Sequence, residues 1–212
     1  CRAWARKRIF PRAMANTKAA IEHPLGVQHL AGCLALSNSA NWNQNENDWR
    51  WMLGFGNGWG ITLADGTLAA SALVIAYGGR FAWVSMVLVL PGERRRGYAT
   101  QLLRCAMAES EKSGFALVLD ATPAGRKVYA QEGFCDAWGF NRYALGKKQS
   151  ALNPAFAPGV RRLEQTDWPQ VLALDAPAFG ASREKLLRSL ATRLPEAALV
   201  CERDGRIGAF LL

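Results

Sequence analysis

Residues 87–103 read VLVLPGERRRGYATQLL, and the way this stretch changes character decides the architecture. Val87 to Leu90 close a run of β-favouring apolar residues, and Pro91-Gly92 end it. A helical period follows, with Leu102, Leu103, Ala106 and Met107 on one face and Arg104, Glu111 and Lys112 elsewhere; Gly114 stops it. The result is strand, turn, helix. A helix start offers unpaired backbone N–H groups and the positive end of a dipole, which together suit a phosphate. Gly97 lets that backbone approach a ligand, Ala99 is small for the same reason, and Thr100 adds a hydroxyl. Arg94, Arg95 and Arg96 raise the local positive potential. The spacing matches neither the G-x-x-x-x-G-K-[ST] loop nor the G-x-G-x-x-G dinucleotide fingerprint. On chemistry alone, these residues suit a solvated basic helix start equally well.

Working outward, Trp59 to Ala64 and Thr67 to Tyr77 read as strands joined at Asp65-Gly66, a hairpin signal. Gly78-Gly79-Arg80 turns the chain into Phe81 to Leu90, nearly all apolar, as expected of a strand buried on both faces. Beyond Gly114 the pattern gives a strand from Phe115 to Asp120, a short helix from Ala124 to Glu132, and Phe134 to Leu145 as a strand pair or one bent strand. Upstream, Lys18 to Glu22 reads as a first strand, and Leu25 to Leu36 and Glu46 to Leu53 as helices. The class is α+β, with a mixed, mostly antiparallel twisted sheet flanked by helices. Residues 18–148 form this domain, and the Pro- and Gly-containing stretch 149–159 is a linker. Residues 160–212 then restart the order: strand at Val160 to Leu163, helices at Trp168 to Phe179 and Arg183 to Arg193, and strands at Ala197 to Glu202 and Arg206 to Leu212 around Asp204-Gly205. This reads as a partial second copy of the unit, against the alternative of a chance match of common elements. Residues 1–17, rich in arginine and free of acid, are set aside as a disordered or non-native arm.

Composition narrows the function. With 50% hydrophobic and 20% charged residues the chain suits a globular core. The +9 net charge owes much to Arg2, Arg6, Lys7, Arg8, Arg12 and Lys18, which precede the first acid, so nucleic acid is not expected as a partner. The apolar stretch from Leu68 to Pro91 is broken by Gly78-Gly79-Arg80, so no membrane partner is expected. Five scattered cysteines without a C-x-x-C argue against a disulfide framework or a metal site and for a cytoplasmic setting. Cys33 and Cys105 read as small core residues, and His23 and His29 as structural or exposed.

The run at 87–103, with Arg94, Gly97 and Ala99 in the fixed places of R/Q-x-x-G-x-G/A, resembles the acyl-coenzyme-A motif of the GNAT N-acetyltransferase superfamily. FALVLDATPAGRKVYAQEGF, residues 115–134, resembles that superfamily's next strand and the helix ending in Y-x-x-x-G-F, and the restarted second half resembles its two-unit members. The resemblance implies acetyl-CoA held by its pyrophosphate at Arg94, Arg95, Arg96, Gly97, Tyr98, Ala99 and Thr100. Its pantetheine arm would lie against Val87, Leu88 and Val89, near Ala124 and Tyr129. Tyr129 is the implied acid for the leaving thiolate. The long strand has no carboxylate at the place where many members carry a glutamate, so Asp120 is the candidate to orient the amine or accept its proton; a turn-capping role is its alternative. Trp42, Asn43 and Gln44, between the first two helices, are candidates to read the acceptor, against a solvated loop capped at Asn45. The expected activity is transfer of acetyl to a small primary amine by direct attack, without metal, by a monomer or homodimer. The rivals are a non-catalytic acyl-CoA-binding module and an acetyltransferase of protein N-termini.

Overall fold

The computed structural model describes residues 2–6, 21–139, 141 and 158–212. The chain divides into two compact units, Cys1–Arg142 and Tyr143–Leu212. Within the first, the described elements are β1 (Arg2–Arg6), β2 (Ile21–Pro24), α1 (Leu30–Ser39), α2 (Glu46–Phe55), β3 (Asn57–Thr62), β4 (Leu68–Tyr77), β5 (Phe81–Val89), α3 (Tyr98–Ser113), β6 (Ala116–Ala121), α4 (Pro123–Gln131) and β7 (Phe134–Gly139). A short 3-10 turn at Val27–His29 leads into α1, so the helix begins later than the periodicity suggests. The sheet order is β2-β3-β4-β5-β6-β1-β7. Every neighbouring pair is antiparallel except β5 and β6, which run parallel because α3 crosses between them.

The side chains of β5 serve two cores. Ala82 and Val84 join Leu103, Ala106 and Met107 of α3 in one core. Met86 and Leu88 join Leu36, Trp49, Met52 and Leu53 of α1 and α2 in another. Trp49 is fully buried, and its indole N–H donates to Ser37 Oγ at 3.2 Å, so this aromatic sits in the core with its polar handle satisfied.

Two expectations need correction. The arm set aside as residues 1–17 supplies Arg2–Arg6 as β1, seated between β6 and β7. Ladder bonds are made by the backbone, so a cationic, acid-free composition is no bar to a strand. Cys105, expected in the core, is half-buried instead, and its thiol donates to Glu22 Oε1 at 3.0 Å. Partial burial, with Glu22 beside it, pushes this thiol up to about 12. Cys33 is fully buried as expected. Of the strand expected over 134–145, the part beyond Gly139 lies outside the described residues apart from residue 141, as does most of the linker at 149–159.

The second unit holds β8 (Val160–Arg162), α5 (Trp168–Phe179), α6 (Glu184–Arg193), β9 (Leu199–Arg203) and β10 (Arg206–Leu211), with sheet order β10-β9-β8. Trp168, Val171, Leu187, Val200 and Ile207 form its core. Arg161 forks onto Asp167 at 2.7 and 2.8 Å and reaches Glu202 at 2.6 Å, and the Asp167 carboxyl is held below its usual range by that guanidinium.

Asn45 caps α2: its Oδ1 accepts from the Asp48 amide at 3.1 Å while Asp48 Oδ2 accepts from the Asn45 amide at 3.0 Å. Asn45→Ala is expected to cost about 1 kcal/mol, read as a lower urea midpoint with an unchanged slope.

Candidate active site

The β5–β6 ladder runs from Phe81↔Ala116 to Val84↔Leu119 and goes no further, although β5 continues to Val89. From Ser85 onward the two strands part. The opposite edge of β5 is irregular at the same level, since pairing with β4 shifts register between Ser71↔Leu88 and Leu73↔Ser85. Met86 carries a φ of 50°, unusual for a residue with a side chain. Ser71 Oγ donates to Met86 O at 2.8 Å and holds the distortion from the buried side. This is a β-bulge, a device that bends a strand and releases an amide from the ladder. It also changes which side chains share a face. Before it, Trp83 and Ser85 point away from the α3 core; after it, Met86 and Leu88 occupy that same side while Val87 and Val89 pack toward α3.

Beyond Val89, Pro91–Glu93 forms a 3-10 turn and the chain enters α3 through Arg95 at φ 64° and Gly97 at φ 84°. Left-handed residues in such a turn aim successive N–H groups into one concavity. The first amide satisfied in α3 is that of Gln101, bonded to Gly97 O at 2.9 Å; no described group accepts from the amides of Tyr98, Ala99 or Thr100. A Cβ built on Gly97 would meet nothing within 4 Å, so the concavity is open. Gly97 and the three arginines are exposed, with Arg94 Nε donating to Val89 O at 3.3 Å and Arg96 paired to Glu93 at 3.2 Å. Tyr98, by contrast, is buried against Ile61, Ala70 and Leu102, so only its backbone can face a ligand. Leu88 is likewise buried, and within this candidate set it too has only main chain to offer.

Tyr129 lies on α4, which opens with Thr122 Oγ1 accepting from the Gly125 amide at 3.2 Å and Pro123 in the first turn. Its ring meets Phe134 edge-on at 6.1 Å, in the same core as Leu103 and Met107, with Val87 packed alongside. Burial pushes the phenol up to about 12, so it holds its proton through neutral pH. A Cβ on Gly125 would come within 2.8 Å of the Tyr129 ring, so glycine there gives the phenol its room. Ala124 is exposed in the first turn of α4, and Asp120 is exposed at the end of β6, one residue beyond the last β5–β6 pair.

The candidate residues therefore divide between two faces of β5. Val87, Val89 and Tyr129 lie on the α3 side, next to the entrance of α3. Trp42 packs on the opposite core with Met86 and Leu88. Asn43 is exposed, and Gln44 keeps a buried Oε1 without a hydrogen-bond partner. The two faces meet at the bulge. Sequence reasoning missed the bulge, Gly125 and the Ser85 hydroxyl, whose Oγ is also buried without a partner. Such an orphan costs about 1–3 kcal/mol and calls for an explanation. Ser85 stands out in the sequence only as a hydroxyl within an apolar run.

His23 and His29 lie elsewhere in this unit, their rings 4.6 Å apart. His23 is engaged by Thr62 Oγ1 at 2.6 Å, and His29 Nδ1 accepts from the Gly26 amide at 3.1 Å. Among the described residues no three His, Cys, Asp or Glu side chains gather as metal ligands, and no helix is long and apolar enough to cross a membrane.

The chain is similar to several known proteins. The uncharacterized N-acetyltransferase YitH of Bacillus subtilis (strain 168) is 24% identical over 181 residues, 85% of this chain; the chain spans 63% of that protein's length. A Pyrococcus horikoshii protein assigned as an acetyltransferase superposes with a TM-score of 0.68 at 16% identity, covering 96% of this chain and 75% of its own. A predicted acetyltransferase from Clostridium acetobutylicum, solved with acetyl-CoA, gives a TM-score of 0.51 at 16% identity over 59% of this chain and 96% of its own. The acetyltransferase (GNAT) family model matches residues 29–134, from the turn before α1 through the bulged strand and the open helix start to Phe134, and the chain belongs to that family.

Proposed function

We propose that this chain transfers an acetyl group from acetyl-CoA to a small primary amine. One observation carries the reading: the start of α3 keeps three amides without acceptors around an uncrowded Gly97, at the end of the strand that parts from β6. A diphosphate is the ligand this arrangement fits, because it satisfies several convergent donors at once and its charge suits the helix dipole and Arg94 to Arg96. The residues present thus fit acetyl-CoA. Arg95 to Thr100 hold the diphosphate by main chain, and the gap between β5 and β6 takes the extended arm.

The chemistry needs little more. The amine nitrogen forms a bond to the acetyl carbon while the carbon–sulfur bond breaks. Tyr129, protonated at neutral pH, gives its proton to the departing sulfur and regains one from solvent. The amine sheds its proton to Asp120 or to water. A main-chain N–H at the Met86 bulge, where the β4–β5 ladder shifts register, is our candidate to donate to the acetyl oxygen as charge develops there. The missing carboxylate on β5 keeps alive a second reading, an acyl-CoA-binding module without turnover. The β8-to-β10 unit repeats the strand, helix, helix, strand, strand order of β2 to β4 with the same middle strand, which supports reading it as a partial second copy.

Gly97→Glu is expected to abolish acetyl-CoA binding by calorimetry while the protein still melts cooperatively; unchanged affinity would contradict the phosphate assignment. Tyr129→Phe is expected to lower kcat on the order of 100-fold with acetyl-CoA affinity retained, measured by thiol release over an amine panel. Equal turnover removes Tyr129 from the reaction, and no thiol release by the unaltered protein with any amine favours the non-catalytic reading.

A further inference from the structure

The side of β5 facing away from α3 carries features that the acetyl-CoA site leaves unused. Ser85 immediately precedes the bulge, and its Oγ is buried without a hydrogen-bond partner. Trp83 stands two residues earlier on the same face, about 7 Å along the strand. The Trp83 ring meets Trp138 of β7 edge-on, with centroids 6.5 Å apart at 72°, although β6 and β1 lie between their strands. The register shift between β1 and β7 next to Trp138 is what turns this residue to the Trp83 side. Phe81 extends the row, 6.3 Å from Trp83, and Tyr77 continues it 5.9 Å further on. Trp138 remains 51% exposed. An aromatic row with one large ring left in solvent therefore leads to an unsatisfied hydroxyl, and that hydroxyl sits where the two strands part.

We infer that the acceptor is an arylalkylamine, with its ring against Trp83 and Trp138 and its amine nitrogen at Ser85 Oγ. The inference rests on the acetyl-transfer reading above and names the acceptor class for that same site. Its chemistry follows from the groups present. An amine N–H donated to Ser85 Oγ satisfies the orphan oxygen and leaves the nitrogen lone pair free to point into the gap. A flat ring offers its face to the indole edges and its edge to their faces, which an alkyl chain cannot do. A polyamine or an amino sugar would leave the aromatic row uncovered.

The test compares 2-phenylethylamine with propylamine as acceptors for the full chain at saturating acetyl-CoA, by thiol release. The expected result is a kcat/KM at least tenfold higher for the aromatic amine, carried mainly by KM. Trp138→Ala should reduce that preference about tenfold. Ser85→Ala should lower kcat/KM for both amines together and leave their ratio in place. A preference for propylamine, or a ratio unmoved by Trp138→Ala, overturns the inference while the acetyltransferase reading stands. If neither amine releases thiol, the acetyltransferase reading fails for these acceptors, and calorimetric titration of 2-phenylethylamine into the CoA-loaded protein decides the site by itself. Binding that Trp138→Ala abolishes supports the aromatic site, and absence of binding overturns it.

Discussion

The parting of β5 from β6 after Val84↔Leu119 is the constraint on which the rest depends. A parallel pair inside a sheet normally keeps its ladder, because a buried amide or carbonyl left without a partner is costly. Here the ladder stops in mid-strand, and the opposite edge of β5 is bulged at the same level. One irregularity answers the other. The bulge turns the side chains of β5 over, so residues before and after Met86 serve different cores. The interruption becomes tolerable if a ligand's amide-rich arm takes the place of the absent ladder.

Around that gap, small residues do as much as charged ones. Gly97 adopts a left-handed conformation in open space, so a ligand can come close to the helix amides. Gly125 leaves room for the Tyr129 ring, whose burial holds the phenol in its protonated form. Arg94, Arg95 and Arg96 are exposed, which suits attraction and guidance of an anion rather than tight fixation.

The elements most legible in the sequence were those whose signals are local. The helix read over Trp168 to Phe179 has those same bounds in the structure. Asp65-Gly66 and Asp204-Gly205 announced their turns through residues that accept positive φ. Tyr98–Ser113 announced itself by period and by Gly114. What stayed hidden is non-local. The strand Arg2–Arg6 pairs with residues more than a hundred positions away, as in Ala3↔Asp120, and five residues carry too little pattern to reveal it. The bulge falls on a methionine, with no glycine to mark it. Trp83 and Trp138 read as two unrelated aromatics until the register shift beside β1 brings their rings together.

The central claim is that main-chain amides at the start of α3 hold the cofactor's diphosphate. Titration of isotopically labelled protein with coenzyme A, followed through the backbone amide resonances, tests it most directly. The account predicts that the amides of Gly97, Tyr98, Ala99 and Thr100 move most and gain protection from exchange. Saturable binding that leaves these four amides unmoved while others shift would contradict it.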